Sequence, residues 1–277
     1  MTPTYDNNLV EFEFNIVPTK LKTKTRRIIL YTTSDYKLVT SANTSVWDLP
    51  PYIEKCSISD PDLNVCFKEK ANRAIPRLAK GDADFGIPPT SPTVYSKSPV
   101  YGDGFTMNLY DVFNDDTKNL WITDLEFDLE KGILDFTAVL NRSYVGAQNY
   151  EIVNGTFQGI TATGSGKFNL TLVDIVLRFK GNVTEYQKFN ETYLELKYNL
   201  SARVGRAYYF FENLSPLNGS SSSGQQLETD VNAYIDLNWQ AFWSQLNPSY
   251  EAYMGTFIYY PFGVILSKVP KRKLFLP

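Results

Sequence analysis

The spacing of hydrophobic positions changes twice along this chain. Leu63, Cys66, Phe67, Ala71, Ala74, Ile75 and Leu78 recur three or four residues apart, which places them on one face of a helix. Lys68, Glu69, Arg73 and Arg77 cover the other face. The spacing predicts a helix from about Leu63 to Ala79. Asp60 is its expected N-cap, with Pro61 at the first helical position. Gly81 is its expected stop, and Pro76 should kink or loosen its last turn. Residues 86–102 hold Pro88, Pro89, Pro92 and Pro99. They read as an extended surface connection.

From about Gly104 to Phe211 the period becomes two. Phe105, Met107 and Leu109 alternate with polar neighbours, and Trp121–Leu129, Ile133–Leu140, Tyr150–Gln158, Gly166–Phe179 and Thr192–Val204 follow. Glycines mark the turns between them, as in a series of long antiparallel hairpins. In one strand the apolar parity switches. Phe168, Leu170 and Leu172 share one face, whereas Val173, Ile175, Leu177 and Phe179 share the other. Such a switch requires a bulge or a change of layer, and it curves the sheet.

After the Ser-rich loop Gly219–Gly224, a helical stripe returns with Leu227, Val231, Tyr234, Ile235, Phe242 and Leu246, widened by Trp239 and Trp243. Pro248 should kink this helix, and Tyr250–Phe257 continue it. A sheet with one apolar face must bury that face, and the two helices are the available cover. The expected fold is therefore α+β: a long C-terminal helix wrapped by a strongly curved antiparallel sheet, with a shorter N-terminal helix, around an elongated apolar interior. Residues 1–45 read as a poorly ordered or atypical segment, and 46–277 as the domain.

Composition narrows the chemistry. The chain has 277 residues, 43% hydrophobic and 15% aromatic, with net charge −3 and no histidine. Without histidine, Ser-His-Asp and Cys-His catalysis are excluded. With two cysteines besides, no ordinary zinc site can be assembled, and no cofactor motif is present. The charge argues against a nucleic-acid partner. A two-carboxylate enzyme survives on count alone, but no spacing singles out a pair. The basic run Lys271-Arg272-Lys273 reads as a solvated surface.

Cys56 precedes the first helix and Cys66 lies inside it. A disulfide between them would pin the incoming chain to the helix and contribute about 2–3 kcal/mol. The alternative is two separate buried thiols. Nine Asn-x-Ser/Thr sequons begin at Asn43, Asn141, Asn154, Asn169, Asn182, Asn190, Asn199, Asn213 and Asn218, against about three expected by chance. The excess points to a secreted glycoprotein and so favours the bridge. Yet the first residues hold no apolar run after a basic start. The expectation is a gene model that lacks its first exon. No stretch is long and apolar enough to span a membrane.

Several stretches resemble the insect takeout and juvenile-hormone-binding protein family. They are Leu49-Pro50 with Tyr52-Ile53 and Cys56, Ser59-Asp60-Pro61-Asp62-Leu63-Asn64 with Cys66, Leu78-Ala79-Lys80-Gly81, and Gly86-Ile87-Pro88-Pro89. The resemblance continues in Gly164-Ser165-Gly166-Lys167-Phe168 and Phe210-Phe211, and closes with Asn238-Trp239 and Lys268-Val269-Pro270. It implies a secreted, non-enzymatic carrier of a small hydrophobic ligand such as juvenile hormone or a fatty-acid-like lipid. Circadian, feeding or chemosensory physiology goes with it. The tunnel would lie between helix and sheet. Phe67, Ile75 and Leu78 on the first helix, Phe168, Leu170 and Leu172 on the sheet, and Ile235, Trp239 and Phe242 on the last helix are the candidate lining. Residues 255–263 depart from the family's smooth final helix. The competing reading is a secreted glycoprotein with a fully packed interior that acts through a protein partner.

Overall fold

The computed structural model describes residues 47–277 apart from 103, 158–159 and 217–223. The expectations for residues 1–45, for the Ser-rich stretch and for the sequons at Asn43 and Asn218 lie outside them. Helix α1 spans Leu63–Leu78. Nine strands follow: β1 (Thr93–Gly102), β2 (Phe105–Asn114), β3 (Trp121–Asp128), β4 (Ile133–Phe157), β5 (Ile160–Thr163), β6 (Ser165–Lys188), β7 (Glu191–Arg203), β8 (Arg206–Phe211) and β9 (Ser215–Pro216). Helices α2 (Gly224–Leu237), α3 (Trp239–Lys268) and α4 (Lys271–Leu274) close the chain.

Two long strands organise the sheet. β4 and β6 pair antiparallel from Ile133↔Asn182 to Glu151↔Ser165. On the free side of β4, β3 pairs with its first part and β2 with its last. On the free side of β6, β8 pairs with its first part and β7 with its last. β1 joins β2, so β1 and β7 are edges of an unclosed sheet. The Pro-rich connection is thus partly a strand. Pro99 fits inside β1 because that strand is paired on one side only. The two runs predicted at Ile133–Leu140 and Tyr150–Gln158 are one strand of 25 residues.

The parity switch in β6 is a bulge at Asp174, whose φ is +53°. Leu172 points in, Val173 and Asp174 do not, and Ile175 points in again. β4 answers at the same level: Leu140 and Ser143 face the interior, while Asn141 and Arg142 face solvent. β2 switches at Asp111, φ +50°. These bulges add twist and bend the sheet.

The concave face holds α3, which packs against β7, β1 and β8. A helix enclosed in this way is apolar around most of its circumference. Phe242, Leu246, Tyr250, Met254, Ile258 and Ile265 are all buried. α3 carries Pro248 and Pro261 in its interior and still runs unbroken through residues 255–263. The break in the predicted C-terminal helix lies instead at Asn238, between α2 and α3. A Cβ at Gly255 would lie 2.9 Å from the Tyr198 ring and force it to shift. That ring stacks on Phe179 at 5.2 Å and on Tyr259 at 4.7 Å, tying sheet to helix.

α1 covers one end. Cys56 and Cys66 form a disulfide, with a Cα–Cα distance of 6.1 Å. Asp60 does not cap the helix; its carboxylate accepts the Asp62 amide at 2.9 Å, in the turn before helical geometry begins. Gly81 does terminate it, at φ +81°. Buried Asn72 accepts the Ile122 amide at 2.8 Å and donates to the Ile122 carbonyl at 2.9 Å, so that α1 serves the edge of β3 as a strand would. The basic run is not simply solvated. Lys271 pairs with Glu185, Arg272 with Glu191 and Lys273 with Asp48.

Candidate functional site: a divided apolar interior

Among the described residues, three apolar cavities lie along α3. The middle one has a volume of about 80 Å³ and sits between the helix and β1, β2, β4 and β6, with Met107, Val145, Trp243 and Tyr250 in its wall. One of about 50 Å³ lies toward α1, against Leu120, Phe136, Met254 and Phe257. One of about 20 Å³ lies toward α2, against Phe105, Ile152 and Phe211. None of the three linings contains a charged side chain among the described residues.

Aromatic rings separate them. Toward α2, Phe242 stands edge-on to Phe105 at 5.4 Å and to Tyr209 at 4.8 Å, with Phe211 at 6.1 Å. Toward α1, Tyr253 and Phe257 lie 4.5 Å apart, and Tyr95 closes on both at 5.9 and 5.8 Å. Most of these pairs are edge-to-face, which suits ring quadrupoles, and Tyr95–Phe257 is tilted at 45°.

Six of the nine predicted lining residues line these cavities. Ile75 and Leu78 face the one near α1, Phe168 and Leu170 the middle one, Ile235 and Phe242 the one near α2. Three do not, each for a physical reason. Phe67 packs against Phe127 and Phe275 at 4.9 and 5.9 Å, under the C-terminus. Leu172 immediately precedes the bulged pair and is enclosed by core at 0% exposure. Trp239 begins α3 and lies beneath the Arg206 guanidinium at 5.1 Å.

The residues missed are Trp243, Tyr250, Tyr253, Met254 and Phe257. With Leu246 they form one stripe at spacings of three and four. The sequence reading continues the helix over Tyr250–Phe257 but assigns none of these residues to the lining. The hydroxyls of Tyr209, Tyr250 and Tyr253 are shut off from solvent without a closed hydrogen bond. Tyr250 Oη comes within reach of Ser143, whose Oγ already accepts the Asn114 amide at 3.2 Å. Burial raises all three phenols well above their usual range, and the Asp116 carboxylate adds to this at Tyr250 and Tyr253.

The outside differs. A groove of about 320 Å³ between β7 and α3 is lined by Glu195, Lys197 and Glu251 as well as by Tyr198 and Tyr259. Sequon residues Asn141, Asn182, Asn190, Asn199 and Asn213 are exposed. Asn169 is half-buried and accepts the Tyr144 hydroxyl at 2.6 Å. The side chains of Asn154 and Asn218 are not among those described. No helix is long and apolar enough to cross a membrane, and no cluster of three metal-ligating side chains occurs among the described residues.

A family model described as haemolymph juvenile hormone binding protein matches residues 37–276. The crystal structure of Takeout 1 from Epiphyas postvittana superposes with a TM-score of 0.68 at 20% sequence identity, covering 81% of this chain and 100% of that one. It shares the large unclosed antiparallel sheet around a long C-terminal helix. No curated protein matches.

Proposed function

The chain belongs to the haemolymph juvenile hormone binding protein family, and on that premise we propose that it is a secreted, non-enzymatic carrier for a small hydrophobic ligand. The ligand lies along α3, and the carrier domain spans residues 46–277. The run of three uncharged cavities beside one helix carries this reading. Each buried methylene contributes about 0.8 kcal/mol, so ten give roughly 8 kcal/mol before the costs of binding. That corresponds to about micromolar affinity at best. A ligand longer than one cavity requires the aromatic partitions to turn aside. The six lining residues named above make the contact. Secretion is supported by the disulfide and by the exposed sequons, which we assign as glycan acceptors at Asn141, Asn182, Asn190, Asn199 and Asn213.

One observation favours the second reading, a packed glycoprotein that works through a protein partner. Each cavity is far smaller than the roughly 300–1,000 Å³ of ordinary small-molecule sites. Native mass spectrometry of the chain secreted from insect cells separates the two. The carrier reading expects a discrete apolar adduct that organic extraction removes. No adduct, and no uptake from a lipid panel including juvenile hormone, would sink it and leave the partner reading.

A further inference from the structure

The middle cavity carries more than apolar surface. Tyr250 and Tyr253 both line it from one face of α3. Tyr250 is 7% exposed. Both hydroxyl oxygens are sealed from solvent; that of Tyr253 closes no hydrogen bond, and that of Tyr250 has only the Ser143 hydroxyl within reach. A buried hydroxyl left in that state is costly, and two from one helix on a largely apolar cavity mark where a polar atom belongs. Ser98 and Ser249 also line the cavity, and two polar groups there or nearby are already engaged. Ser249 Oγ donates to the Tyr101 carbonyl at 2.9 Å and accepts its amide at 3.0 Å. Asn114 bonds Ser143 and the Tyr144 carbonyl.

The sign of the field decides what kind of atom fits. No Lys or Arg lines the cavity. The charge acting on both phenols is the Asp116 carboxylate, which the Tyr144 amide holds in place. Burial and this negative charge together keep both phenols protonated, so they act as donors. An anion brought here would be desolvated beside another anion with no cation to pair it.

We propose that Tyr250 and Tyr253 form a polar subsite that donates hydrogen bonds to a neutral acceptor oxygen, such as an ester or ketone carbonyl, and discriminates against a free carboxylate. This rests on the carrier reading and narrows it. The ligand is then an elongated apolar molecule with its neutral oxygen partway along, facing the middle of α3. Fatty acids as anions are poor ligands.

The test uses the full chain and displacement of the neutral dye nile red by methyl oleate, oleate and octadecane. The expected result is tighter binding of the ester than of oleate by about tenfold or more. A Tyr250→Phe, Tyr253→Phe double variant should reduce ester affinity by about tenfold, the equivalent of one or two hydrogen bonds, and leave octadecane unchanged. Tyr260→Phe removes a hydroxyl of the same helix that lines none of the three cavities. It should leave the preference intact and controls for general effects on the fold. Oleate binding as tightly as the ester would overturn the proposal, as would a double variant with undiminished preference. If the wild-type chain binds none of the dye, the ester or the hydrocarbon, the carrier reading itself fails and takes the subsite with it.

Discussion

Ser57 runs parallel to Leu276. The Leu276 amide donates to the Cys56 carbonyl at 2.8 Å, the Ile58 amide to the Leu276 carbonyl at 3.3 Å, and Ser57 Oγ to the Pro277 carbonyl at 2.6 Å. The disulfide joins this same segment to α1. One short stretch therefore fastens the first helix and the end of the chain together.

Breaking the bridge should loosen both. Cys66→Ala is expected to lower stability by about 2–3 kcal/mol, the value for closing so short a loop. Urea unfolding reads that change. Hydrogen exchange should also show faster exchange of the Leu276 amide. An unchanged urea midpoint would mean that the remaining contacts hold this corner without the bridge.

Phe242 is 1% exposed, lines the cavity near α2 and packs edge-on against Phe105 and Tyr209 on the side of the middle one. Phe242→Ala should cost about 3–5 kcal/mol. It should also open the cavity near α2 into the middle one. Equilibrium unfolding measures the first effect, and the affinity for a long hydrocarbon probe measures the second. A destabilised variant with no gain for the longer probe would show that Phe105, Tyr209 and Phe211 close the gap.

The bulge at Asp174 places a non-glycine residue at positive φ. Asp tolerates that region because its short side chain bonds locally; a β-branched residue does not. Asp174→Val is expected to cost about 1–2 kcal/mol, whereas Asp174→Gly should fall within about 0.5 kcal/mol of wild type. Thermal unfolding of the pair tests this, and equal effects of the two would remove backbone strain as the explanation.

Burial alone would raise the Asp82 carboxyl. It is instead held below the usual aspartate range by the Tyr52 hydroxyl, 2.8 Å away, and by the Phe85 and Asp84 amides, each at 3.1 Å. A carboxyl depressed in the folded state contributes stability above its unfolded pKa and loses it as pH falls through the folded value. Wild-type stability should therefore decline below about pH 4. Asp82→Asn should show a shallower decline there and lower stability near neutrality. Identical acid limbs in denaturant titrations of the two proteins would exclude Asp82 as a contributor.

Much of this was legible in the sequence because period and parity are written in side chains. The α1 stripe, the alternation of β2 and β3 and the parity switch at Leu172–Val173 each name an element and a face. Other features depend on what lies opposite. Pro99 and Pro248 both read as interruptions. One sits in an edge strand with no partner on its free side, and the other in a helix held from several sides by β1, β7 and β8. Tertiary enclosure overrode the local rule in both cases. Phe67 was on the correct helix face, but the C-terminal Phe275 covers it, a contact across some two hundred residues that no window contains.

The two aromatic partitions make the interior a ruler rather than a bag. A uniform tunnel would reward each added carbon of a ligand by a similar increment. Here, extension within one compartment gains affinity, but the carbon that reaches a partition must first turn a packed ring. Affinity along a homologous series should rise as a staircase, with its treads set by the spacing of Phe242 and Phe257 on α3.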